Sequence, residues 1–255
     1  MIVIQTTSYA FLLSFLAGIS TLVGSVPIFW KIKNKERLIN GALAFAAGVM
    51  ICVSITDLIP ESLSILTTIF KPVPAILLLF IFFSVGVIFS MLIDTFFPSN
   101  IKVENQKLYH IGLVSMLAII CHNIPEGIAT FLSTNQNESL GLSLSLAIAL
   151  HNIPEGISIS IPVFFATGSR KKAFSYTLIS GLSEPLGAIV AFLFLKDIMS
   201  PFIMSILFGF IAGIMIHIAI YELLKEALCY RNKLFIFLFL VIGFLFMLMS
   251  HILIG

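Results

Sequence analysis

The string HNIPEG occurs twice, at His122–Gly127 and at His151–Gly156. In a helix, His122 and Glu126 are four residues apart and share a face, while Asn123 lies about 100° round from His122. His151, Asn152 and Glu155 repeat the arrangement. Each copy therefore offers an imidazole nitrogen, an amide oxygen and a carboxylate within a small volume. Pro125 and Pro154 have no backbone N–H, so the carbonyls of Cys121 and Leu150 lose their helical donors. A kink is expected there, and a freed carbonyl is one more hard oxygen for a cation. Gly127 and Gly156 would let another helix approach closely.

Both copies sit in runs of Leu, Ile and Ala, and a third acid, Glu184, lies in a similar setting in SGLSEPLGA. Three carboxylates at one level, with no Lys or Arg in any helix interior, pose an electrostatic problem. A buried ionised group costs several kcal/mol even after relaxation unless it is compensated. Either the acids are protonated or cations sit among them. Neutral imidazoles beside carboxylates suit a borderline transition metal. Two divalent ions would bring four positive charges against Glu126, Glu155 and Glu184, with bridging carboxylates holding them close together. A single intramembrane His is commonly a packed hydrogen-bonding residue, and a single Glu can be a proton site. The duplicated string together with Glu184 favours the metal. Met50, Asp57, Glu61, His217 and Glu222 form a second tier of candidates along a pathway. Asp57 and Glu222 lie near opposite ends of their helices, as vestibule ligands or interfacial caps. His110 and His251 fall at membrane borders and read as interfacial. Cys121 does not share a face with His122 and is left aside.

These residues must be placed by membrane helices. Of 255 residues, 59% are hydrophobic and 10% charged, and the mean hydropathy is +1.13. One soluble core could not hide that much apolar surface. The net charge of +2 gives no basis for nucleic-acid binding. Cys52, Cys121 and Cys229 show no CxxC spacing and imply no disulfide framework. The N-terminus lacks the basic region and small-residue cleavage site of a signal peptide and is expected to lead into the first span. Polar breaks cut the apolar stretches into eight spans, near 8–30, 38–60, 74–97, 108–132, 139–165, 172–195, 200–224 and 233–254. The expected fold is an all-α integral membrane bundle, one transmembrane domain over residues 1–255. With a turn near 133–139, the two motifs lie on average about 11 residues, or roughly 17 Å of helix, from it. Half the hydrocarbon thickness is about 15 Å, which puts them near the midplane. Glu184 reaches a similar depth from the other side.

Charge fixes orientation. The loops KIKNKER, the pair Lys102 and Lys107, the run Arg170, Lys171 and Lys172, and the set Lys225, Arg231 and Lys233 hold twelve of the fourteen basic residues. Lys71 and Lys196 are alone on the other side. The basic loops are therefore expected in the cytoplasm, with both termini extracytoplasmic and the chain in the plasma (inner) membrane. The chain also repeats. Residues 47–62 align with 212–227 at seven of 16 identical positions, setting Asp57 on Glu222. Residues 17–25 align with 180–188, sharing both glycines and a serine. The first copy runs inward and the second outward, so spans one to three and six to eight are expected as an inverted repeat. A two-fold axis in the membrane plane would then exchange spans four and five, which carry the two HNIPEG strings.

At these residues the sequence resembles the ZIP family of divalent-metal transporters, especially its bacterial zinc-uptake branch. The family's HNxPEG motif matches His122–Gly127 at every fixed position, its fifth-span motif matches His151–Gly156, and its Glu-Pro matches Glu184–Pro185. The resemblance spans the whole chain. It implies a binuclear centre: one site with His122, Glu126, His151 and Glu155, with Met50 as an added candidate, and another with Asn123, Asn152 and Glu184, Glu126 and Glu155 bridging. It also implies metal movement into the cytoplasm by one helix group sliding against another, and homodimers as an assembly option. The loop PSNIKVENQKLYH departs from the histidine-rich loop of many members, having only His110, so no metal-sensing loop is implied here.

The expected function is transport of divalent transition-metal cations, zinc first, with iron, manganese, cobalt and cadmium as related ions. Nitrogen and oxygen ligands without thiolate argue against copper(I). The metal is substrate, and no prosthetic group is expected. The partners are the lipid bilayer and the metal ions. The alternative is an intramembrane metal-dependent hydrolase. The HExxH pattern is absent, no Ser or Cys nucleophile arrangement is evident, and an inverted repeat suits alternating access, so no enzyme is expected. Proton-only transport would leave the paired Asn and His without a role. Glu126→Ala and Glu155→Ala should each abolish metal uptake while the protein still inserts, as read by radioactive zinc accumulation against membrane abundance.

Overall fold

The structure, a computed structural model, describes residues 2–31, 33–96, 105–195, 200–229 and 232–254. Lys102, Lys196 and Arg231, used above to assign the cytoplasmic side, lie outside the described residues. All regular structure among the described residues is helical, in eight helices long and apolar enough to cross a membrane. They are α1 (Thr6–Phe29), α2 (Lys35–Ile69), α3 (Pro72–Ile93), α4 (Gln106–Gln136), α5 (Glu138–Thr167), α6 (Arg170–Phe194), α7 (Pro201–Leu228) and α8 (Lys233–Ile252). The chain is a multi-pass membrane protein.

Polar caps set where the helices start. Asn34, Asn105, Asn137, Ser169, Ser200 and Asn232 each accept a backbone N–H of the first turn that follows. Such caps satisfy donors that have no partner inside the helix. Asn137 has a further role. Its N–H donates to the Ser133 carbonyl at 2.9 Å, closing α4, and its side chain accepts from Ser139 and Leu140, opening α5. A one-residue joint forces the two helices into a tight antiparallel pair. His122 lies 15 residues before Asn137 and His151 lies 14 after it, so both rise about 21–23 Å from the joint. That equality is what sets the two motifs level.

The helices sort into two groups. α1, α4, α5 and α6 pack on one another, α5 against both α1 and α4, and α4 against α6. In the other group α2 lies on α8 and α7, and α3 lies on α7. The groups meet mainly where α2 faces α5. The outward faces are apolar, as on α3 at Val73, Phe80 and Ile88 and on α8 at Leu234 and Phe237. Only lipid contact suits such faces in a helix whose backbone is already satisfied.

Four spans are not regular α-helix throughout, α6 among them, with a π segment over Ala191–Leu195. α1 tightens to a 3-10 helix over Thr21–Phe29, with Pro27 inside it. α2 widens to a π-helix over Ser54–Leu58, just ahead of Pro60. Pro60 cannot donate to the Thr56 carbonyl, and Ser54 Oγ donates to the Met50 carbonyl at 2.8 Å, so the ladder is disturbed from both ends. α7 carries a similar π segment over Ile218–Leu224. Such segments cluster at functional sites.

Gly48 and Gly213, which the sequence alignment pairs, make matching contacts. Gly48 abuts the Leu240 carbonyl of α8, and Gly213 abuts the Phe83 carbonyl of α3. Around the motifs, Gly127 of α4 abuts the Glu184 carbonyl of α6, and Gly156 of α5 abuts the Thr21 carbonyl of α1. A Cβ at either position would meet a backbone oxygen, which cannot turn aside. Gly127→Ala and Gly156→Ala should therefore each destabilise the bundle by about 1–3 kcal/mol. The check is a lowered thermal midpoint in detergent, with weakened zinc binding in Gly127→Ala as α6 is pushed from α4.

Candidate metal centre

The two motifs converge. His151 Nε2 lies 3.0 Å from Glu126 Oε1, and His122 Nε2 lies 3.1 Å from the same oxygen and 3.5 Å from Glu155 Oε1. The two imidazole rings are 5.9 Å apart between centroids. One ligand atom each from His122, His151 and Glu155 falls within a 4.8 Å sphere of mutual distance. Adjacent ligands of a tetrahedral zinc, at about 2.0–2.1 Å from the ion, are about 3.3 Å apart. The observed separations bracket that value, so an ion could enter with shifts of a few tenths of an ångström.

Glu184 is placed by a break in α6. The helix is interrupted at Leu182, and Glu184 stands in the first turn of the segment that resumes at Ser183. Pro185 explains the break, since it withholds the N–H that the Gly181 carbonyl would have received. Glu184 Oε2 accepts from Asn152 Nδ2 at 2.9 Å, which ties α6 to the second motif. Asn152 Nδ2 also donates to the Ala17 carbonyl at 3.0 Å, and Asn123 Nδ2 donates to the Ser180 carbonyl at 3.2 Å. Both amides are thus held by their NH₂ groups, leaving their oxygens as available acceptors.

Satisfaction of the buried polar atoms is uneven. His122, His151, Glu126, Glu155 and Glu184 are at most 7% exposed. Among the described residues, sixteen buried side-chain nitrogen and oxygen atoms have no hydrogen-bond partner. Nine of them belong to His122, Asn123, Glu126, His151, Asn152, Glu155 and Glu184. Buried polar atoms are ordinarily paired, and a cluster that is not calls for a missing ligand. These seven residues all lie on α4, α5 and α6, within one helix group.

A cavity of about 760 Å³ reaches this cluster. Its walls include Glu126 and His151 at depth, and Ser133, Gln136 and Leu140 beside the α4–α5 joint. Asp57 and Glu61 of α2 line it too, as does His251 of α8. His251 Nε2 lies 2.9 Å from Asp57 Oδ1. His251, expected to be interfacial from its place at a membrane border, thus also contacts an acid of the cavity wall. The signal was present in outline, because Asp57 and His251 fall near span ends on the same side of the membrane.

The other candidates are elsewhere. Met50 is buried in the apolar core, and no described contact joins it to the histidines. His217 Nδ1 lies 2.9 Å from Ser90 Oγ, and its ring stacks on Tyr221. Glu222 lies in the π segment of α7, and neither it nor His217 lines the cavity.

Residues 98–251 match the family described as ZIP Zinc transporter. The chain belongs to the ZIP family. It is similar to proteins named zinc transporter ZupT from several bacteria. It is 42% identical over 229 residues to that of Streptococcus mutans, covering 86% of this chain and 87% of the relative. It is 44% identical over 234 residues to that of Oceanobacillus iheyensis, with the same coverage. It is 39% identical over 245 residues to that of Clostridium perfringens, covering 86% of each. The family match begins before α4 and takes in both HNIPEG strings, Glu184 and His251.

The geometry ranks the ligands. Cobalt(II), a coloured zinc substitute, should bind the purified protein with an absorption spectrum that His122→Ala or His151→Ala weakens by about tenfold or more in affinity. Asn152→Ala, which removes the amide partner of Glu184, should have the smaller effect.

Proposed function

We propose that the protein moves divalent transition-metal cations, zinc foremost, across the membrane into the cytoplasm through a binuclear centre on α4, α5 and α6. The observation that carries this reading is the concentration of unpartnered buried donor atoms on seven neighbouring residues, two of which, Glu126 and His151, line a cavity. Three buried carboxylates without a neighbouring Lys or Arg are stable together only with protons or cations among them. His122, Glu126, His151 and Glu155 would hold one ion. Asn123, Asn152 and Glu184 would complete a second, with Glu126 and Glu155 shared.

Movement is supported by the division into helix groups. The whole centre rides on the group α1, α4, α5 and α6, while α2, α7 and α8 supply the facing cavity wall. Sliding of the first group against the second would carry the ions with it. At the end of α4 remote from the cavity, Lys107 forms an ion pair with the buried Glu226 of α7, tying the two groups. With the basic loops in the cytoplasm and both termini outside, the cavity faces the cell exterior and Lys107 faces inward. The paired glycine contacts support an inverted repeat, the architecture that lets two such conformations be near mirror images in energy.

Purified protein in liposomes loaded with a zinc-sensitive dye should admit zinc without any added protein. Iron(II), manganese, cobalt and cadmium should compete to degrees that rank the metals. Elemental analysis should find up to two zinc ions per chain. Liposomes that exclude zinc while the protein is folded and correctly inserted would overturn the reading.

A further inference from the structure

We propose that Asp57 and His251, beside the cavity-lining acid Glu61, form a further divalent-cation site at the mouth of the cavity, which captures the ion and passes it to His151 and Glu126. The inference rests on the transport reading above and names how that centre is loaded.

The three residues come from helices outside the group that holds the centre. Asp57 and Glu61 are four apart on α2, and both line the cavity. Asp57 sits in the π segment Ser54–Leu58, whose wider turn precedes Pro60. Its Oδ1 lies 2.7 Å from Thr56 Oγ1, whose single hydroxyl proton is shared between this carboxylate and the Cys52 carbonyl at 2.9 Å. The carboxylate is thus oriented by its own helix. His251 comes from the last turns of α8, and its Nε2 stands 2.9 Å from Asp57 Oδ1. Nitrogen and oxygen ligands of a tetrahedral zinc are about 3.3 Å apart. The pair would open by a few tenths of an ångström to admit one.

Exposure grades along the cavity. The His251 and Asp57 side chains are 43% and 23% exposed, whereas Glu126 and His151 are buried. Glu126 Oε2 and His151 Nδ1 have no partner, so the cavity floor holds unsatisfied ligand atoms for the arriving ion. No Lys or Arg is among the residues lining the cavity, which carries the acids Asp57, Glu61 and Glu126. A low-dielectric cleft with one sign of charge concentrates counter-ions. Two or three protein ligands with water completing the shell would hold a cation loosely enough to release it inward. The mouth site lies on the wall formed by α2 and α8, so it stays behind when the centre moves.

Zinc influx into proteoliposomes tests this. Asp57→Ala and His251→Ala should each raise the half-saturating zinc concentration by about tenfold or more, as loss of a ligand costs at least as much as loss of an outer partner. The maximal rate should be retained. His251→Cys, which restores a ligand, should recover the low half-saturation for cadmium, and His251→Phe should not. Equilibrium dialysis with zinc alone supplies an independent reading. Glu126→Ala should retain weakly bound zinc that Glu126→Ala/His251→Ala loses. Wild-type half-saturation in both alanine variants, a reduced maximal rate with unchanged half-saturation, or zinc retention indifferent to His251 would overturn the mouth site. If Glu126→Ala transported normally, the central reading would fall instead, while the dialysis comparison would still decide the mouth site.

Discussion

Three carboxylates, Glu126, Glu155 and Glu184, are buried in a membrane bundle with, among the described residues, no Lys or Arg placed to answer them. In a medium of low dielectric, that arrangement is held only when something positive joins it. Much of the rest of the structure can be read as the means of keeping those acids together yet reachable. Two imidazoles stand beside Glu126 and Glu155, the Asn152 amide ties Glu184 to the Ala17 carbonyl, and a cavity leads in. Among the described residues, more than half of the buried side-chain atoms without a hydrogen-bond partner are gathered at this one place.

Keeping the acids together requires close helix packing, and close packing requires small residues at the contacts. Gly127 and Gly156 admit the backbones of α6 and α1 against the two motif helices. Without them α6 could not bring Glu184 to Asn152. The single-residue joint at Asn137 then sets the motifs level, and Pro185 breaks α6 where Glu184 must leave the helix face. Each device is local, inexpensive in sequence and confined to a few positions, while the surrounding apolar faces need only be apolar.

The two helix groups divide the labour. One carries the candidate metal centre entire, and the other carries the facing wall of the cavity. Asp57, Glu61 and His251 belong to the wall, and the contact between α2 and α5 is the seam between groups. The residues with the clearest chemical signatures are thus on the group proposed to move. Those with weaker signatures line its path.

The HNIPEG strings, Glu184, the eight-helix bundle and the family were legible in the amino-acid order, because hydropathy, residue spacing and an apolar setting are properties of the chain itself. The convergence of the ligands depended on tertiary structure. Helical period puts His122 above Glu126, but only packing of α4 on α5 brings His151 to 3.0 Å from that same carboxylate. His251 illustrates the limit most sharply. It lies 194 residues from Asp57, and nothing in its immediate neighbours marks it as more than an interfacial histidine. Its contact with Asp57 appears once α8 is laid against α2, because a long-range contact between two helix faces is a property of how the helices pack and cannot be stated by either helix alone.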